Sequence, residues 1–159
     1  MKVQRAKDFM LSKLERGYYT FTLKEAENAT GVGRNTWEAV DRLAKQGWLF
    51  SPSKGFYVII DPQHRGSGYL PVEWFIDDWM KHLGGRYYLG ILTAAMLHGA
   101  SHQKPQQVQV VRDKVFADVD KAPYHISFFY KKNIPDDCYE QRQTPAGFFN
   151  VSTPEMTAY

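Results

Sequence analysis

Residues 22–60 carry an ordered set of helix, turn and strand signals that few folds accommodate. Thr22-Leu23-Lys24-Glu25 has the spacing of a capping box, in which the Thr22 hydroxyl accepts a hydrogen bond from the Glu25 amide at a helix start. Gly31-Val32-Gly33 then predicts a tight turn, because glycine tolerates positive φ. A second and longer helix is predicted over 34–46, where four residues recur at the helical period: Thr36, Val40, Leu43 and Ala44.

A predicted β-hairpin follows the second helix directly. Gly47 is suited to end that helix in a left-handed conformation. Residues 48–50 and 56–60 are aromatic and β-branched, which is typical of strands. The segment that joins them, residues 51–55, contains proline, glycine and the basic Lys54. Two strands around a basic turn, placed after a helix-turn-helix, predict a wing.

The residues before the motif complete this domain. Residues 2–16 show a narrow apolar stripe and are predicted to form a first helix. Residues 18–21 form a short extended piece that can pair with the wing as a third strand. The whole order predicts a winged helix-turn-helix domain over residues 1–60. The alternative is an α+β domain of another kind that happens to contain a helical hairpin.

The second half of the chain has a separate periodic pattern. Residues 61–70 are predicted to be a linker, since they are mostly polar and rich in glycine. A helix is predicted from Pro71 to Gly84, and its apolar positions follow the helical period: Val72, Phe75, Ile76, Trp79, Met80 and Leu83. Residues 87–97 are apolar almost all round, which predicts a helix buried in the centre of a second domain.

Strand signals dominate the remainder. Residues 107–111, 124–130 and 146–151 are predicted strands, and residues 115–123 are predicted to be a polar link between them. The fold class is therefore α+β: a winged helix-turn-helix domain, then a second mixed α+β domain over residues 71–159.

Composition narrows the class of protein. The single cysteine, Cys138, excludes an internal disulfide and a cysteine-rich zinc site. The sequence contains no run of 18 apolar residues, so no transmembrane helix is expected. The residues after Met1 lack the apolar core of a signal peptide. We therefore expect a cytoplasmic protein.

Positive charge is concentrated in the predicted winged helix. Residues 1–60 hold ten Lys and Arg against six Asp and Glu, whereas residues 61–159 hold ten against eleven. A basic excess on the domain that has the helix-turn-helix pattern is what contact with phosphates requires. This distribution favours double-stranded DNA as a partner.

The candidate DNA-binding residues follow from their positions. Arg34 and Asn35 begin the second helix of the motif, whose N-terminal end usually reaches the bases; Arg can pair with guanine and Asn with adenine. Arg42 and Lys45 are predicted on the same exposed face. Lys24 and Lys54 are predicted to contact phosphate. The alternative is an ordinary solvated helix face, and the acidic residues on that face, Glu38 and Asp41, count against DNA binding.

Other chemistries have weaker support. His98 and His102 have helical i, i+4 spacing, but Gly99 between them indicates a helix end, and no metal site or cofactor is predicted. Asp113-Lys114 with Asp118 and Asp120 has a faint similarity to a metal-dependent nuclease core, yet such clusters usually lie in solvated loops. Cys138 lies among acidic residues, which disfavours its thiolate. No catalytic residue is predicted, and an enzyme is not expected.

Five segments of the sequence resemble a known protein family. They are residues 29–37, 43–49 and 55–59, then the run 87–99 and the strand 108–111. Together they resemble the AbiEi antitoxins of type IV toxin–antitoxin, abortive-infection systems. Gly33 departs from the Ser or Thr N-cap that such motifs commonly have, although Gly is an acceptable cap.

The resemblance implies a two-part function. The winged helix would bind inverted repeats upstream of its own operon and repress transcription. The second domain would oppose a nucleotidyltransferase-like toxin without forming a stable complex with it. By position, the resemblance implies DNA contact at Arg34, Asn35, Thr36 and Lys54. It implies no particular residues for the antitoxin role.

Two alternatives remain open from the sequence. The chain could be a stand-alone winged-helix regulator or adaptor whose second domain binds another protein, or its second domain could be nuclease-like. A nucleotidyltransferase gene directly downstream would favour the antitoxin, since only that function requires it. We also expect a longer natural protein, because Ser152-Thr153-Pro154-Glu155 is a helix start with only four residues after it. The alternative is a short terminal turn packed on the strands.

Overall fold

The computed structural model describes residues 2–31, 33–64, 70–90, 108–121 and 124–154. The chain divides into two compact units, Met1–Pro71 and Val72–Tyr159. Both helices and sheets are present, and the predicted α+β class is confirmed.

The first unit is a helix-turn-helix with a three-stranded sheet. Its elements are α1 (Lys2–Glu15), β1 (Thr20–Thr22), α2 (Leu23–Thr30), α3 (Gly33–Lys45), β2 (Leu49–Ser53) and β3 (Phe56–Ile59). The strands are antiparallel in the order β1-β3-β2. Each predicted element of this unit is confirmed to within about three residues at its ends, including the short third strand beside the wing.

The capping box at the start of α2 is also confirmed. The Thr22 side-chain oxygen accepts from the Glu25 amide at 3.1 Å, and the Glu25 carboxylate accepts from the Thr22 amide at 2.7 Å. Gly31 ends the helix with φ 70°, and its amide donates to the Glu27 carbonyl. A side chain at this φ would be strained, which explains glycine at the turn. Val32, the middle residue of the predicted turn, lies outside the described residues.

Helices α1, α2 and α3 pack around an apolar core. Its buried members are Ala6, Met10, Phe21, Ala26, Ala39, Val40, Leu43, Leu49, Tyr57 and Ile59. Phe21 lies at the centre, because its ring meets Phe9 edge-on at 5.2 Å and stacks on Tyr57 at 5.4 Å. Such aromatic pairs add to the stabilisation from burial.

In its described residues, the second unit contains a mixed six-stranded sheet and one α-helix. The helix is α4 (Ile76–Leu83), preceded by a 3₁₀ turn over Val72–Trp74. The strands are β4 (Tyr87–Leu89), β5 (Val108–Arg112), β6 (Val119–Lys121), β7 (Tyr124–Tyr130), β8 (Tyr139–Thr144) and β9 (Gly147–Ser152). The sheet order is β6-β7-β5-β4-β9-β8, with the β5–β7 and β4–β9 pairs parallel.

Aromatic rings join α4 to the sheet. The Trp79 ring contacts Phe116 and Phe128 edge-on, and Phe75 contacts Tyr124 in the same way. Arg112 on β5 is 2% exposed, with its guanidinium carbon 5.6 Å from the Phe116 ring and 5.9 Å from the Phe128 ring. Its Nη2 donates to the Gly84 carbonyl at 2.7 Å, just after α4. Burial lowers the pKa of this guanidinium.

The prediction of a buried helix over 87–97 is wrong at its start. Tyr87–Leu89 is strand β4, which pairs with β5 on one side and β9 on the other. All three of its residues are buried, so the strand has a continuous apolar run instead of the alternation that distinguishes a strand from a helix. Residues 91–107 lie outside the described residues, and they include His98 and His102.

Two strands were absent from the sequence prediction. β6 lies within the predicted polar link 115–123, and β8 has the polar sequence Tyr-Glu-Gln-Arg-Gln-Thr. Both lie at the edges of the sheet formed by the described strands, where polar side chains are tolerated. Their composition therefore gives little strand signal. The helix predicted from Pro71 is also divided, since a 3₁₀ turn precedes α4.

Two tryptophans provide a matched test of this packing. Trp79 is fully buried and Trp37 is 53% exposed. Trp79→Ala should lower the free energy of unfolding by about 3–5 kcal/mol, the cost of emptying a large buried site. Trp37→Ala should change it by less than about 0.5 kcal/mol, as surface substitutions do. Urea denaturation followed by circular dichroism measures both, and equal losses would contradict the assigned core.

Candidate nucleic-acid interface

Helix α3 has one buried and one exposed face. Thr36, Ala39, Val40 and Leu43 are buried against the rest of the first unit. The opposite side is exposed or partly exposed, and it presents Trp37, Glu38, Asp41, Arg42 and Lys45. This division follows the 3.6-residue period. From Trp37 to Lys45 this face is available for a partner.

The predicted base-reading residues lie at the start of this helix. Arg34 and Asn35 are the second and third residues of α3. Their side chains lie outside the described part of the structure, so their contact with bases stays a prediction.

Thr36 is a buried residue of α3. Its side chain is buried at 3% exposure, and its Oγ1 lies 3.0 Å from the Thr30 Oγ1. The Thr30 hydroxyl in turn donates to the Ala26 carbonyl at 2.9 Å. Thr36 therefore joins the end of α2 to the start of α3 across the glycine turn. The DNA contact that the family resemblance implies for Thr36 stays a prediction, and the buried hydroxyl itself bonds within the protein.

Acidic residues limit the positive charge on α3. Lys45 Nζ lies 3.0 Å from an Asp41 carboxylate oxygen, one helical turn away. The charge of Asp41 also adds to burial in raising the pKa of Tyr57 on β3. Arg42 is exposed and forms no ion pair with any residue that the structure describes. Of the two predicted cations on this face, Arg42 is thus the less compensated.

Lys24 and Lys54 are brought to one end of the unit. The Leu23 amide donates to the Gly55 carbonyl at 2.9 Å, which fixes the wing turn beside the first turn of α2. Lys24 follows Leu23 and Lys54 precedes Gly55, and both side chains are exposed. The predicted contact of these two lysines with phosphate stays a prediction.

The wing turn itself is braced from within. The Ser51 hydroxyl oxygen lies 2.8 Å from the Ser53 carbonyl oxygen and 2.9 Å from the Phe56 carbonyl oxygen. The β2–β3 pairing shifts register between Phe50 and Ser53. Gly55 has φ 79°, which the tight turn requires. Lys54 therefore projects from an ordered turn.

Two other lysines of the first unit contact neighbouring side chains within the unit. Lys13 Nζ lies 3.3 Å from the Glu25 carboxylate and 5.1 Å from the Tyr18 ring. Lys7 Nζ lies 4.5 Å above the Trp48 ring. These cations stabilise α1 against its neighbours.

Trp37 is a residue of this face that the predicted site omitted. It is 53% exposed although it is among the largest apolar side chains of the chain. On the helical period it lies at the border of the buried stripe, beside Ala44, so the sequence pattern alone does not separate a core position from a surface one. The charged neighbours at i+1 and i+4, Glu38 and Asp41, are the signal that could have identified it as exposed.

The carboxylates of the weak nuclease-like pattern have structural partners. Asp113 accepts from the Arg86 amide at 2.9 Å, and Asp118 accepts from the Phe128 amide at 2.8 Å. Asp120 lies 2.6 Å from His125 on the paired strand. Cys138 is buried beside Tyr88 and Ile134. Within the described ranges, no three His, Cys, Asp or Glu side chains are grouped as metal ligands.

A cleft of about 260 Å³ lies in the second unit. Its lining residues are Trp74, Asp77, Asp78, Lys81, Gln141, Ala146, Gly147 and Phe148. Asp77 accepts from Lys81 at 2.8 Å and from the Tyr87 hydroxyl at 2.9 Å. Burial, and then the Asp77 charge, raises the pKa of Tyr87, while the hydrogen bond to Asp77 raises the pKa of Lys81. The lining of the cleft combines charged and aromatic side chains.

Two protein-family models match the chain. The model for "Transcriptional regulator, AbiEi antitoxin" matches residues 8–60. The model for "AbiEi antitoxin C-terminal domain" matches residues 88–159. The chain belongs to the AbiEi-type antitoxins. The first AbiEi model covers the helix-turn-helix and the wing, and the second covers the six strands from Tyr88 of β4 onward.

Solved structures show a similar fold. The crystal structure of the RV2827C protein from Mycobacterium tuberculosis matches with a TM-score of 0.63 at 16% sequence identity. The match covers 97% of this chain and 58% of that chain, so the AbiEi-type chain spans somewhat more than half of its structural relative. Comparison with curated proteins finds no match. Among the described residues, no helix has the length and apolar character needed to cross a membrane.

The Asp41–Lys45 ion pair generates a prediction about electrostatics. Asp41→Ala removes an acidic group from α3 and releases Lys45, so binding to a duplex of mixed sequence should strengthen. The slope of log affinity against log salt should become steeper by about one unit if Lys45 then contacts a phosphate. Fluorescence anisotropy at several salt concentrations measures the slope. Asp137→Ala, an exposed acid of the second unit, is the control, and an unchanged slope for Asp41→Ala would contradict the prediction.

Proposed function

We propose that this AbiEi-type chain is a DNA-binding autorepressor and the antitoxin of a type IV toxin–antitoxin system in the cytoplasm. The observation that carries the proposal is that the regulator model matches the same residues that form the helix-turn-helix and wing. The basic excess of residues 1–60 adds support, since phosphate contact requires it.

The first unit is proposed to bind operator DNA through three elements. The N-terminal half of α3 enters the major groove, where Arg34 and Asn35 contact base edges. Arg42 and Lys45 follow along the same helix and approach the backbone. Lys24 and Lys54, held together by the Leu23–Gly55 hydrogen bond, bind phosphate at the end of the unit. On an operator made of inverted repeats, each repeat would bind the first unit of one chain.

The second unit is proposed to oppose a nucleotidyltransferase-like toxin without a stable complex. Support comes from the C-terminal antitoxin model over residues 88–159 and from the separate apolar core of this unit. The net charge of residues 61–159 is slightly negative, which does not favour nucleic acid as its main partner. We assign the antitoxin role to the unit as a whole.

Operator binding is tested by three alanine variants of the full chain on the duplex upstream of its operon. Arg34→Ala and Asn35→Ala should each weaken operator binding by about 1–3 kcal/mol and relax the preference at one base pair. Lys54→Ala should weaken all duplexes alike and reduce the salt slope by about one unit. Lys114→Ala, an exposed lysine of the second unit, should change neither. Binding that ignores Arg34, Asn35 and Lys54 would refute the assigned surface.

The division of labour is tested in cells that express the adjacent toxin. Trp79→Ala removes the ring that joins α4 to the sheet, so the variant should lose toxin neutralisation while it still represses the operon promoter. A variant with Lys24→Ala and Lys54→Ala should show the opposite result. Growth rescue and a promoter–reporter fusion measure the two activities. Rescue by Trp79→Ala would show that the second unit is not the antitoxin part.

A further inference from the structure

Trp37 is the exposed aromatic side chain of α3. A single exposed apolar residue needs no explanation by itself. Tyr18 has nearly the same exposure, 54%, but its ring is covered by two cations, Lys13 at 5.1 Å and Arg16 at 5.9 Å. Trp37 makes no aromatic or cation–π contact with any residue that the structure describes. Its ring is therefore open to a partner.

The position of the ring on the helix restricts that partner. Trp37 is the fifth residue of α3, within the N-terminal half that contacts bases in helix-turn-helix proteins. It lies one turn before Asp41, on the exposed side of the helix. Under the operator binding proposed above, the ring is therefore placed on the part of α3 that faces base edges.

The chemistry of the surroundings restricts the partner further. Glu38 follows Trp37 directly and is exposed, and Asp41 is one turn away. These carboxylates repel phosphate, which disfavours a place against the DNA backbone for this ring. Within the major groove, the apolar group that distinguishes one base from the others is the C5 methyl of thymine. An uncharged indole ring matches that group.

We propose that Trp37 packs against the C5 methyl group of a thymine in each operator half-site and thereby selects that base. The proposal rests on the operator binding proposed above. It adds an apolar contact to the polar contacts expected from Arg34 and Asn35. Since it requires no positive charge, it provides specificity on a helix whose acidic residues weaken general attraction to DNA.

Replacement of thymine by deoxyuridine tests the proposal, because the change removes only the methyl group. The full chain first selects its preferred duplex from a random-sequence library. Each thymine of that duplex is then replaced in turn. For the unchanged protein, one position in each half-site should lose about fourfold in affinity, the equivalent of one buried methyl group. For Trp37→Ala, binding to the thymine duplex should weaken to a similar extent and the uracil effect should disappear.

Two control variants make the result decisive. Trp37→Phe keeps an apolar ring and should retain a uracil effect, whereas Tyr18→Ala removes an equally exposed ring away from α3 and should leave the effect unchanged. Sequence-selective binding with no uracil-sensitive position, or a uracil effect that persists in Trp37→Ala, would overturn the proposal while operator binding stands. A different oligomeric state of Trp37→Ala without DNA would also overturn it, since another copy would then cover the ring. Failure to select any duplex would overturn both proposals.

Discussion

The start of α2 is fixed from two directions, and the geometry of the first unit depends on it. Thr22 and Glu25 satisfy each other's backbone amides in the capping box, so the helix begins directly after β1. The adjacent Leu23 amide donates to Gly55 in the wing turn. A helix start and a hairpin tip that are far apart in sequence are thereby joined. This junction brings Lys24 and Lys54 to the same end of the unit.

If α3 binds DNA as proposed, its charge distribution favours sequence-specific contact with bases over non-specific attraction to phosphates. Asp41 compensates Lys45, and Glu38 adds another negative charge to the exposed face. Non-specific binding comes almost wholly from phosphate neutralisation, which this helix supplies weakly. Direct contact with base edges does not depend on net charge in the same way. The phosphate contacts can instead come from Lys24 and Lys54, outside α3.

The first unit could be predicted from the sequence because its signals are local. The capping box, the glycine turn and the alternation of helix and hairpin each depend on a few neighbouring residues. The candidate site was predicted less fully. Thr36 matched both the buried stripe and a DNA-contacting position of the family. In the structure its side chain is buried and hydrogen-bonded to Thr30. Trp37 lay at the border of that stripe, where periodicity cannot assign exposure.

The second unit depends on pairing between distant segments, which composition does not reveal. Tyr87–Leu89 is apolar at every position because neighbouring strands and packed faces bury it completely. Strands β6 and β8 are polar for the opposite reason, since they lie at the two edges of the described sheet. Arg112 is buried by two phenylalanines and the end of α4, a contact that no local pattern predicts. The burial of these residues therefore depends on the order of the strands in the sheet, which the local sequence pattern does not predict.

The central claim is that the first unit binds operator DNA through α3, the start of α2 and the wing turn. Backbone amide spectra of the full chain, recorded by nuclear magnetic resonance with and without the operator duplex, test this most directly. The expected result is a set of shifted amides confined to the N-terminal half of α3, residues 23–25 and residues 53–55, with β4 to β9 unchanged. Shifts that fall mainly on the six-stranded sheet, with α3 and the wing turn unaffected, would contradict the claim.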